Sequence, residues 1–413
     1  MLNKDNVREL AYVVAIDSIE PIVGSDNCEA AVVGGWRIMV RKGTFKPGDL
    51  AVYFEIDSKV PETETFAFLE KKHYKVKTQR YTFGGKGNFI SQGLLMHPSD
   101  FGWKLATIEG KNVIQKADGT SFLEGDFLTA ELGVTYADTE DNTRKAASAD
   151  KYKKMAQRRP DLFKKKWARW MMKRTWGRKV MFFFFGKKKD VKTAWPRWVV
   201  KTDEERVQNM PWILQDKSEW FATEKVDGTS STYTMRGWGR KREFYVCSRN
   251  VVFDKPDKKC YYETNVYTEM AEKYSLESVL ENLMEYFSNI SNKEVDFVTI
   301  QGETYGEGIQ KRDYSIGDHD LRAFNLIIGY TGEAPIRLNP RAMTDILKEY
   351  GVPCVPIVDE HFVLPDTVDE LLEIATGASE IDGLPREGLV FRSYDGVRSF
   401  KAVSNSFLLT YHN

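Results

Sequence analysis

The stretch 221-FATEKVDGTSSTYTMRG-237 combines a strand-like pattern with charges that a strand rarely needs. Lys225 stands between Glu224 and Asp227, and Gly228 follows before a run of hydroxyl residues. Side chains alternate along a strand, so Lys225 and Asp227 are expected on one face, while Gly228 opens the backbone. A neutral lysine amine is a nucleophile, and burial or nearby cations lower its pKa. An exposed lysine at a strand end is the alternative, because such short matches are frequent.

The charge of the chain is balanced overall but unevenly distributed. It has 413 residues, enough for two or three domains, with 60 Lys and Arg against 60 Asp and Glu. From Arg144 to Lys201 there are 21 basic and three acidic residues, so these 58 residues carry +18 and the rest carries −18. The asymmetry predicts a polyanionic partner, and Trp alternating with Arg favours nucleic acid over membrane. A solvated basic linker is the alternative.

Cysteine and apolar patterns point to an intracellular protein. The four cysteines are scattered without a C-x-x-C pair, which predicts neither a zinc site nor a disulfide framework. The first ten residues lack the apolar stretch of a signal peptide, and Val180 to Phe185 is too short to span a bilayer. We therefore expect a cytoplasmic or nuclear location and no transmembrane segment.

Residues 1–136 have the pattern of short strands. The segments 10-LAYVVAIDSIEPI-22 and 50-LAVYFEI-56 are rich in β-branched and aromatic residues and are separated by turn residues. Pro47-Gly48 predicts a type II turn, because proline sets φ at the second position and glycine tolerates positive φ at the third. Closely spaced strands of this kind predict a small closed barrel.

Residues 137–194 are basic and aromatic. Phe163, Trp167, Trp170 and Met171 fall at i, i+4, i+7 and i+8, which predicts a helical stripe. Packing is favoured over base stacking for this stripe, since burial is the usual fate of apolar periodicity. The following apolar run to Phe185 is expected to form a buried strand.

Residues 195–413 mix helix and strand signals without βαβ alternation, so the expected class is α+β. Leu276, Val279, Leu280 and Leu283 mark one side of a helix within 265–288. The segment 341-RAMTDILKEYG-351 predicts a short helix that ends at its glycine.

Four further segments carry residue types suited to a nucleotide. Arg249 ends the strand FYVCSRN and could grip a phosphate. Glu303 follows the apolar strand VDFVTI and could accept ribose hydroxyls, while Glu387 in REGLVFR suits a metal or its waters. Lys401 in SFK could neutralise an α-phosphate. Each segment alone is also an ordinary surface feature.

The order of these segments resembles the covalent nucleotidyltransferase superfamily of polynucleotide ligases and mRNA capping enzymes. K-V-D-G, E-T-Y-G, E-G-L-V-F-R and S-F-K match its motifs I, III, IV and V, and Phe324 in LRAFNLI matches motif IIIa. With 201-KTDEERVQN-209 and the N-terminal barrel, the chain is similar to ATP-dependent RNA ligases that carry an OB domain first. The resemblance implies an OB domain over 1–136, a basic linker or insertion over 137–194, and an ATP-grasp-like adenylyltransferase domain of antiparallel sheets over 195–413.

The resemblance also implies a mechanism. Lys225 would attack the α-phosphorus of ATP, giving lysyl-AMP and pyrophosphate. The AMP would pass to a 5′-phosphate end, and a 3′-hydroxyl would then displace it. The implied substrate is an RNA or RNA/DNA duplex that contains such a break.

A set of residues around the nucleotide follows from the same resemblance. The implied ATP contacts are Glu224, Asp227, Gly228, Arg206, Arg249, Glu303, Phe324, Glu387 and Lys401. Glu387 and Asp227 would also hold Mg²⁺ or Mn²⁺, mostly through waters. Glu303 would bind the ribose and Phe324 would stack on adenine. Lys401 would contact the α-phosphate and lower the Lys225 pKa by like-charge repulsion.

Two positions leave alternatives open. Arg206 could contact a phosphate or form a helix-surface salt bridge within DEER. Motif V often offers two lysines two residues apart, whereas this chain has Ser399 at the first place, and Arg398 is a candidate substitute.

Three rival functions are retained. A DNA ligase usually places its OB domain after the catalytic domain, and a capping guanylyltransferase would use GTP. The non-enzymatic alternative is a nucleic-acid-binding protein, which would be expected to have a broken set of motifs.

Overall fold

The computed structural model describes residues 8–137 except 86, 165–172, 174, 176–177, 180–181, 195–249 except 202, 252–253, and 266–411 except 313. Within 8–137 the strands are β1 (Ala11–Ala15), β2 (Ser18–Pro21), β3 (Cys28–Val33), β4 (Trp36–Arg41), β5 (Leu50–Phe54), β6 (Ser58–Lys59), β7 (Gln79–Thr82), β8 (Asn88–Ser91), β9 (Leu94–Met96), β10 (Lys104–Ile108), β11 (Lys111–Gln115), β12 (Ser121–Phe122) and β13 (Thr135–Tyr136). Short 3₁₀ helices span Glu64–Lys72 and Pro98–Phe101.

Strands β1 and β5 form the centre of this N-terminal part. They pair antiparallel, and both are buried on both faces because their side chains alternate between two cores. Val13 and Phe54 enter one core, whereas Tyr12 and Tyr53 enter the other. The predicted type II turn is confirmed: Gly48 has φ of 86°, and the Asp49 N–H donates to the Lys46 carbonyl at 3.0 Å.

Most of the described residues of the basic segment are helical, with α1 at Lys166–Met172. Trp167 and Trp170 are exposed, so the packing role expected for them is wrong. Val180 and Met181 are helical rather than extended, so the expected strand is wrong at these two residues. Phe163 and the remainder of that run lie outside the described residues.

From residue 195 onward, two antiparallel sheets and flanking helices confirm the α+β class. The strands are β14 (Glu205–Arg206), β15 (Glu219–Lys225), β16 (Thr229–Arg236), β17 (Glu243–Ser248), β18 (Val252–Phe253), β19 (Val295–Gly306), β20 (His319–Tyr330), β21 (Ile336–Arg337), β22 (Ile357–Val363), β23 (Gly388–Ser393) and β24 (Ser399–Val403). The helices are α2 (Val266–Lys273), α3 (Leu276–Ser291), α4 (Pro340–Glu349), α5 (Val368–Ala375) and α6 (Asn405–Tyr411), with 3₁₀ turns at Val207–Asn209, Pro211–Gln215 and Gly239–Lys241. None of the described helices has the length and apolarity needed to cross a bilayer.

The helix predictions in this part hold. All four residues of the predicted stripe in α3 are buried against the sheet. Helix α4 begins after Asn339, whose side chain accepts from the Ala342 N–H, and the chain turns at Gly351 with φ of 68°.

The two sheets meet within residues 221–237. One sheet has the order β14-β24-β23-β15-β22 and the other β18-β17-β16-β19-β20-β21. Strand β15 ends at Lys225 and β16 begins at Thr229, so the turn between them passes the chain from one sheet to the other. Side chains at the ends of several strands therefore converge on Lys225.

The N-terminal part contacts the C-terminal part beside this junction. Gly35 lies against α5, where an added Cβ would sit 2.5 Å from Val368 Cγ1, and its φ of 80° also favours glycine. Trp36 lies under the Arg206 guanidinium, 5.6 Å from Cζ to the ring centroid. Ile90 packs with Leu408 of α6. These contacts bring the OB-like strands next to the converging strand ends.

Removal of the Phe400 ring is expected to destabilise the first sheet. Phe400 is fully buried, with ring centroids 5.4 Å from Trp220 and 5.0 Å from Phe391. Phe400→Ala should cost about 3–5 kcal/mol of unfolding free energy, since it leaves a cavity in a packed core. Urea unfolding followed by circular dichroism measures this cost. Phe68→Ala, at an exposed position, is the control and should change it by less than about 0.5 kcal/mol.

Candidate active site

Lys225 lies at the end of β15, and its amine contacts a carboxylate from the neighbouring strand. The β15–β23 register pairs Lys225 with Gly388, which places Glu387 beside it. The Nζ atom is 2.5 Å from Glu387 Oε2. Both side chains are largely buried, so this ion pair is screened less than a surface pair would be.

The surroundings of Lys225 favour its charged form. Burial lowers its pKa, but the carboxylates of Glu387, Glu303 and Asp227 outweigh burial and hold that pKa above its ordinary value. The expectation that Lys401 would depress the pKa of Lys225 is therefore wrong for this arrangement. The repulsion acts the other way, because burial and then the Lys225 charge lower the pKa of Lys401.

The carboxylates around the amine carry more negative charge than one lysine neutralises. Burial raises the pKa of Glu303 to about 8, and the charge of Glu387 adds to the effect. Burial, followed by repulsion from Glu387, raises the pKa of Asp227 to about 6. Carboxylates that repel one another in a partly dry site suit a divalent cation, and oxygen donors are what Mg²⁺ prefers. The donor set of Glu387 and Asp227 thus fits the metal that the motifs imply.

A cavity of about 310 Å³ opens beside Lys225, within the range of small-molecule sites. Seven of the ten residues singled out from the sequence line it: Glu224, Lys225, Gly228, Arg249, Glu303, Phe324 and Lys401. Of the other three, Glu387 bonds to Lys225, Asp227 follows in the turn, and Arg206 lies on the strand beside Lys401. Since β15 ends at Lys225, strand alternation does not extend to Asp227.

One wall of the cavity carries paired cations. Asp203 forms ion pairs with Arg249 and with Lys401, the latter at 3.3 Å. Both ion pairs lie at least partly at the surface. The side chains of Arg249 and Asp203 are each more than half exposed. A phosphate could therefore replace Asp203 as the partner of these cations at little cost.

Arg206 is on strand β14 rather than on a helix, so the salt-bridge alternative within DEER is wrong. It pairs in register with Lys401 of β24, because this short strand adds to the sheet in parallel. Its Nη1 atom is buried and has no hydrogen-bond partner among the described residues. Burial lowers the pKa of its guanidinium. An unmatched buried donor of this kind is suited to an anionic ligand.

Two cavity residues were not assigned a role from the sequence. Arg392 donates from Nη1 to the Phe324 carbonyl at 2.7 Å and pairs with Glu204 at 3.3 Å. Ser399 donates to Glu204 as well. Burial lowers the pKa of Arg392 to about 10. The two cavity residues are Arg392 and Glu204. In the sequence, Arg392 is the arginine that ends EGLVFR and Glu204 is the first glutamate of DEER, so both stood within motifs already noted.

Two residues expected to contact the nucleotide, Glu224 and Arg398, bond to other parts of the fold. The Glu224 carboxylate accepts hydrogen bonds from Ser379 Oγ at 2.5 Å and from the Glu380 N–H at 2.8 Å. Arg398 pairs with Asp216 at 2.5 Å and is not among the residues lining the cavity. Arg398 Cζ also lies 5.1 Å from the Trp220 ring centroid, so this arginine is directed away from the cavity and does not replace the missing lysine.

The turn after Lys225 is held by a loop that the sequence reasoning overlooked. The Asp227 N–H donates to Tyr314 Oη at 2.7 Å, and Gln310 Nε2 donates to the Gly228 carbonyl at 2.9 Å. Arg312 lies 4.0 Å from the Tyr314 ring centroid and donates to the Pro385 carbonyl. No side chain fits at Gly228, where a Cβ would lie 2.3 Å from the Thr304 carbonyl oxygen.

Family comparisons agree with this site and define the class of protein. The RNA ligase family model matches residues 218–403, and an OB-fold domain model matches residues 10–97. The chain therefore contains an RNA ligase domain and an N-terminal OB-fold domain. A comparison with curated protein sequences gave no match.

Solved structures of a Naegleria gruberi RNA ligase are similar over nearly the whole chain. The complex with pyrophosphate is 27% identical, with a TM-score of 0.60, covering 97% of this chain and 98% of that one. A Glu-to-Ala variant with ATP and Mn is 26% identical, with a TM-score of 0.62 and coverage of 98% and 100%. Another Glu-to-Ala variant, with AMP and Mn, is 26% identical, with a TM-score of 0.61, covering 97% of this chain and 98% of that one.

Tyr314→Phe tests the loop that holds the turn. The change removes the acceptor of the Asp227 N–H, and an unmatched donor costs about 1–3 kcal/mol. We expect the rate of AMP transfer from ATP to the protein to fall on the order of 5- to 30-fold. The control is Tyr233→Phe, a buried tyrosine whose hydroxyl donates to the Tyr267 carbonyl in another core. Equal rates for the two variants would remove Tyr314 from the positioning of this turn.

Glu303→Gln should stabilise the ligand-free protein at alkaline pH. Because the folded state raises the pKa of Glu303, the stability associated with its proton is present in acid and is lost as pH rises through about 8. The neutral amide avoids burying that charge, so the thermal midpoint in EDTA should rise on the order of 2–4 °C at pH 8.5 and much less at pH 5. Glu285→Gln, on the exposed face of α3, should show no such pH dependence.

Proposed function

We propose that this protein is an ATP-dependent RNA ligase that seals 3′-OH/5′-phosphate breaks through a lysyl-AMP on Lys225. The observation that carries the proposal is that Lys225 and Glu303, from separate strands, line one cavity while Glu387 bonds to the Lys225 amine. Lys401 lines the same cavity. The Naegleria complexes with ATP, AMP and pyrophosphate support a nucleotide in this position.

The chemistry proceeds in three displacements at phosphorus. Lys225 Nζ, having lost its proton, forms a bond to the α-phosphorus of ATP as the bond to the bridging oxygen breaks, and pyrophosphate leaves. A 5′-phosphate oxygen of the RNA then attacks the same phosphorus, and the N–P bond breaks. Finally the 3′-hydroxyl loses its proton and attacks the 5′-phosphorus, which joins the strands and releases AMP.

The first displacement requires a neutral amine, and the site holds a charged one. Glu387 accepts a hydrogen bond from the Lys225 amine, and Glu303 and Asp227 add to the negative field. A bound Mg²⁺ or Mn²⁺ would supply positive charge that offsets this field and stabilises charge on the reacting phosphate. Glu387 and Asp227 are the residues of this chain that would hold it, and the metal requirement of the enzyme follows from that.

The remaining site residues bind and orient ATP. Phe324, at the cavity wall, would stack on adenine, and Glu303 would accept ribose hydroxyls. Arg249 and Lys401 would exchange Asp203 for phosphate oxygens. Arg206 would supply its unmatched buried donor to the same anion.

The proposed division of labour follows the order of the chain. Residues 1–136 and the basic segment 137–194 would hold the nucleic acid, while 195–413 carries out the transfer. The proposed substrate is a duplex of RNA, or of RNA and DNA, that contains the break. The OB fold precedes the catalytic strands, which favours RNA over DNA as the strand to be joined.

Labelled ATP tests the first displacement directly. Incubation with α-labelled ATP and Mg²⁺ should leave one AMP on the protein, and mass spectrometry should place it on Lys225. Lys225→Ala should reduce labelling below detection, because the proposed bond to AMP forms on the Lys225 amine. Lys217→Ala, which removes an exposed lysine paired with Asp366, should label like the wild type.

Two outcomes would contradict the proposal. Label from GTP alone would indicate a capping-type transferase, and absence of AMP from position 225 would remove the covalent mechanism. Sealing is then measured on nicked duplexes with RNA or DNA on each side of the nick. Joining that requires no RNA at either side would favour a DNA ligase.

A further inference from the structure

Three tryptophans of the basic segment lie at the surface. Trp167, Trp170 and Trp176 are 48%, 52% and 53% exposed. Tryptophan is highly buried on average, and it is enriched at interfaces. The Trp170 and Trp176 rings are 6.3 Å apart in an edge-to-face arrangement.

The surroundings of these rings are strongly cationic. Residues 165–177 contain five Lys and Arg and no acidic residue. Arg174 lies with Cζ 3.7 Å from the Trp170 ring centroid, so a guanidinium and an indole form one composite surface. We call Lys165, Trp167, Trp170, Arg174 and Trp176 the indole surface.

We propose that the indole surface binds unpaired nucleotides of the RNA substrate next to the break. This proposal rests on the proposed ligase function and names a further part of its substrate. Indoles stack on the faces of bases, and the neighbouring cations meet the phosphates that connect those bases. Charge complementarity selects this partner, because the surface carries only positive charge and RNA is a polyanion.

The substrate must then contain more than a perfectly paired nick. In an A-form duplex the base faces are stacked on one another, and aromatic side chains reach bases only in loops, bulges and ends. A single-stranded extension or a melted stretch beside the break would offer such bases. The enzyme would therefore prefer a tailed break to a fully paired one.

A matched exposed tryptophan outside the basic segment makes the test sharp. Trp212, in the 3₁₀ turn Pro211–Gln215, is 50% exposed, so it has a similar accessibility, and residues 207–216 around it contain no Lys or Arg. The test variant is Trp167→Leu with Trp170→Leu, and the control is Trp212→Leu. Leucine keeps apolar bulk but cannot stack, so stacking is separated from simple burial.

Binding is measured by fluorescence anisotropy with two labelled RNA probes, in EDTA. One is a fully paired nicked duplex, and the other carries a single-stranded extension of about ten nucleotides, within the usual site size. The wild type should bind the tailed probe on the order of 5- to 100-fold more tightly. The double Leu variant should lose most of this gain, while Trp212→Leu keeps it. A Trp167→Phe and Trp170→Phe variant should retain part, since phenylalanine still stacks.

The outcomes separate this proposal from the ligase proposal. Labelling of Lys225 by ATP is measured on every variant and should stay at the wild-type rate, which also shows that the variants are folded. If ATP failed to label the wild type, that result would contradict the proposed ligase function and would not test the indole surface. The proposal for the indole surface would be overturned if the extension increased the affinity of the double Leu variant as much as that of the wild type. It would also be overturned if the extension did not increase the affinity of the wild type. Binding to anionic phosphatidylserine vesicles that depends on the tryptophans, without a tail effect, would assign the surface to lipid instead.

Discussion

The ion pair between Lys225 and Glu387 is the interaction around which the rest of the site is arranged. It joins β15 to the residue that precedes β23, at the place where the chain passes from one sheet into the other. Glu303 enters from β19 and Lys401 from β24, so residues far apart in sequence share one electrostatic environment. That environment holds the pKa of the Lys225 amine above its ordinary value and so keeps the amine charged.

A site of this kind costs stability. Buried carboxylates with pKa values of about 6 and 8, and a guanidinium with an unmatched buried donor, are groups that a purely structural core would avoid. The surrounding fold compensates through dense packing, with Trp220, Phe391 and Phe400 on one side of the first sheet. The loop with Tyr314 and Arg312 adds hydrogen bonds to the turn itself. Rigidity near the amine is therefore supplied by residues that do not line the cavity.

The sequence predicted those parts of the site that depend on local pattern. Short motifs of fixed spacing identified Lys225, Glu303, Phe324 and Lys401, and all four line one cavity. The α+β class and the helix α3 followed from periodicity, because burial of one face leaves a repeating signal. Tyr314 was missed since a single hydrogen bond to a backbone N–H leaves no pattern in the chain. The pKa of Lys225 was misjudged because it depends on how many carboxylates lie nearby, and motifs do not give distances.

By itself, the sequence determined which chemical groups are present, their order, and the family they resemble. It also determined that a basic, tryptophan-rich segment lies within a chain whose remaining residues are acidic overall. Only the tertiary structure decided that Arg206 lies on a strand beside Lys401 and over Trp36 of the OB strands. It also decided that Arg398 faces Asp216 rather than the cavity, and that the tryptophans of α1 are exposed. The physical reason is that burial, pairing and charge coupling are set by neighbours distant in the chain, which strand register and packing select.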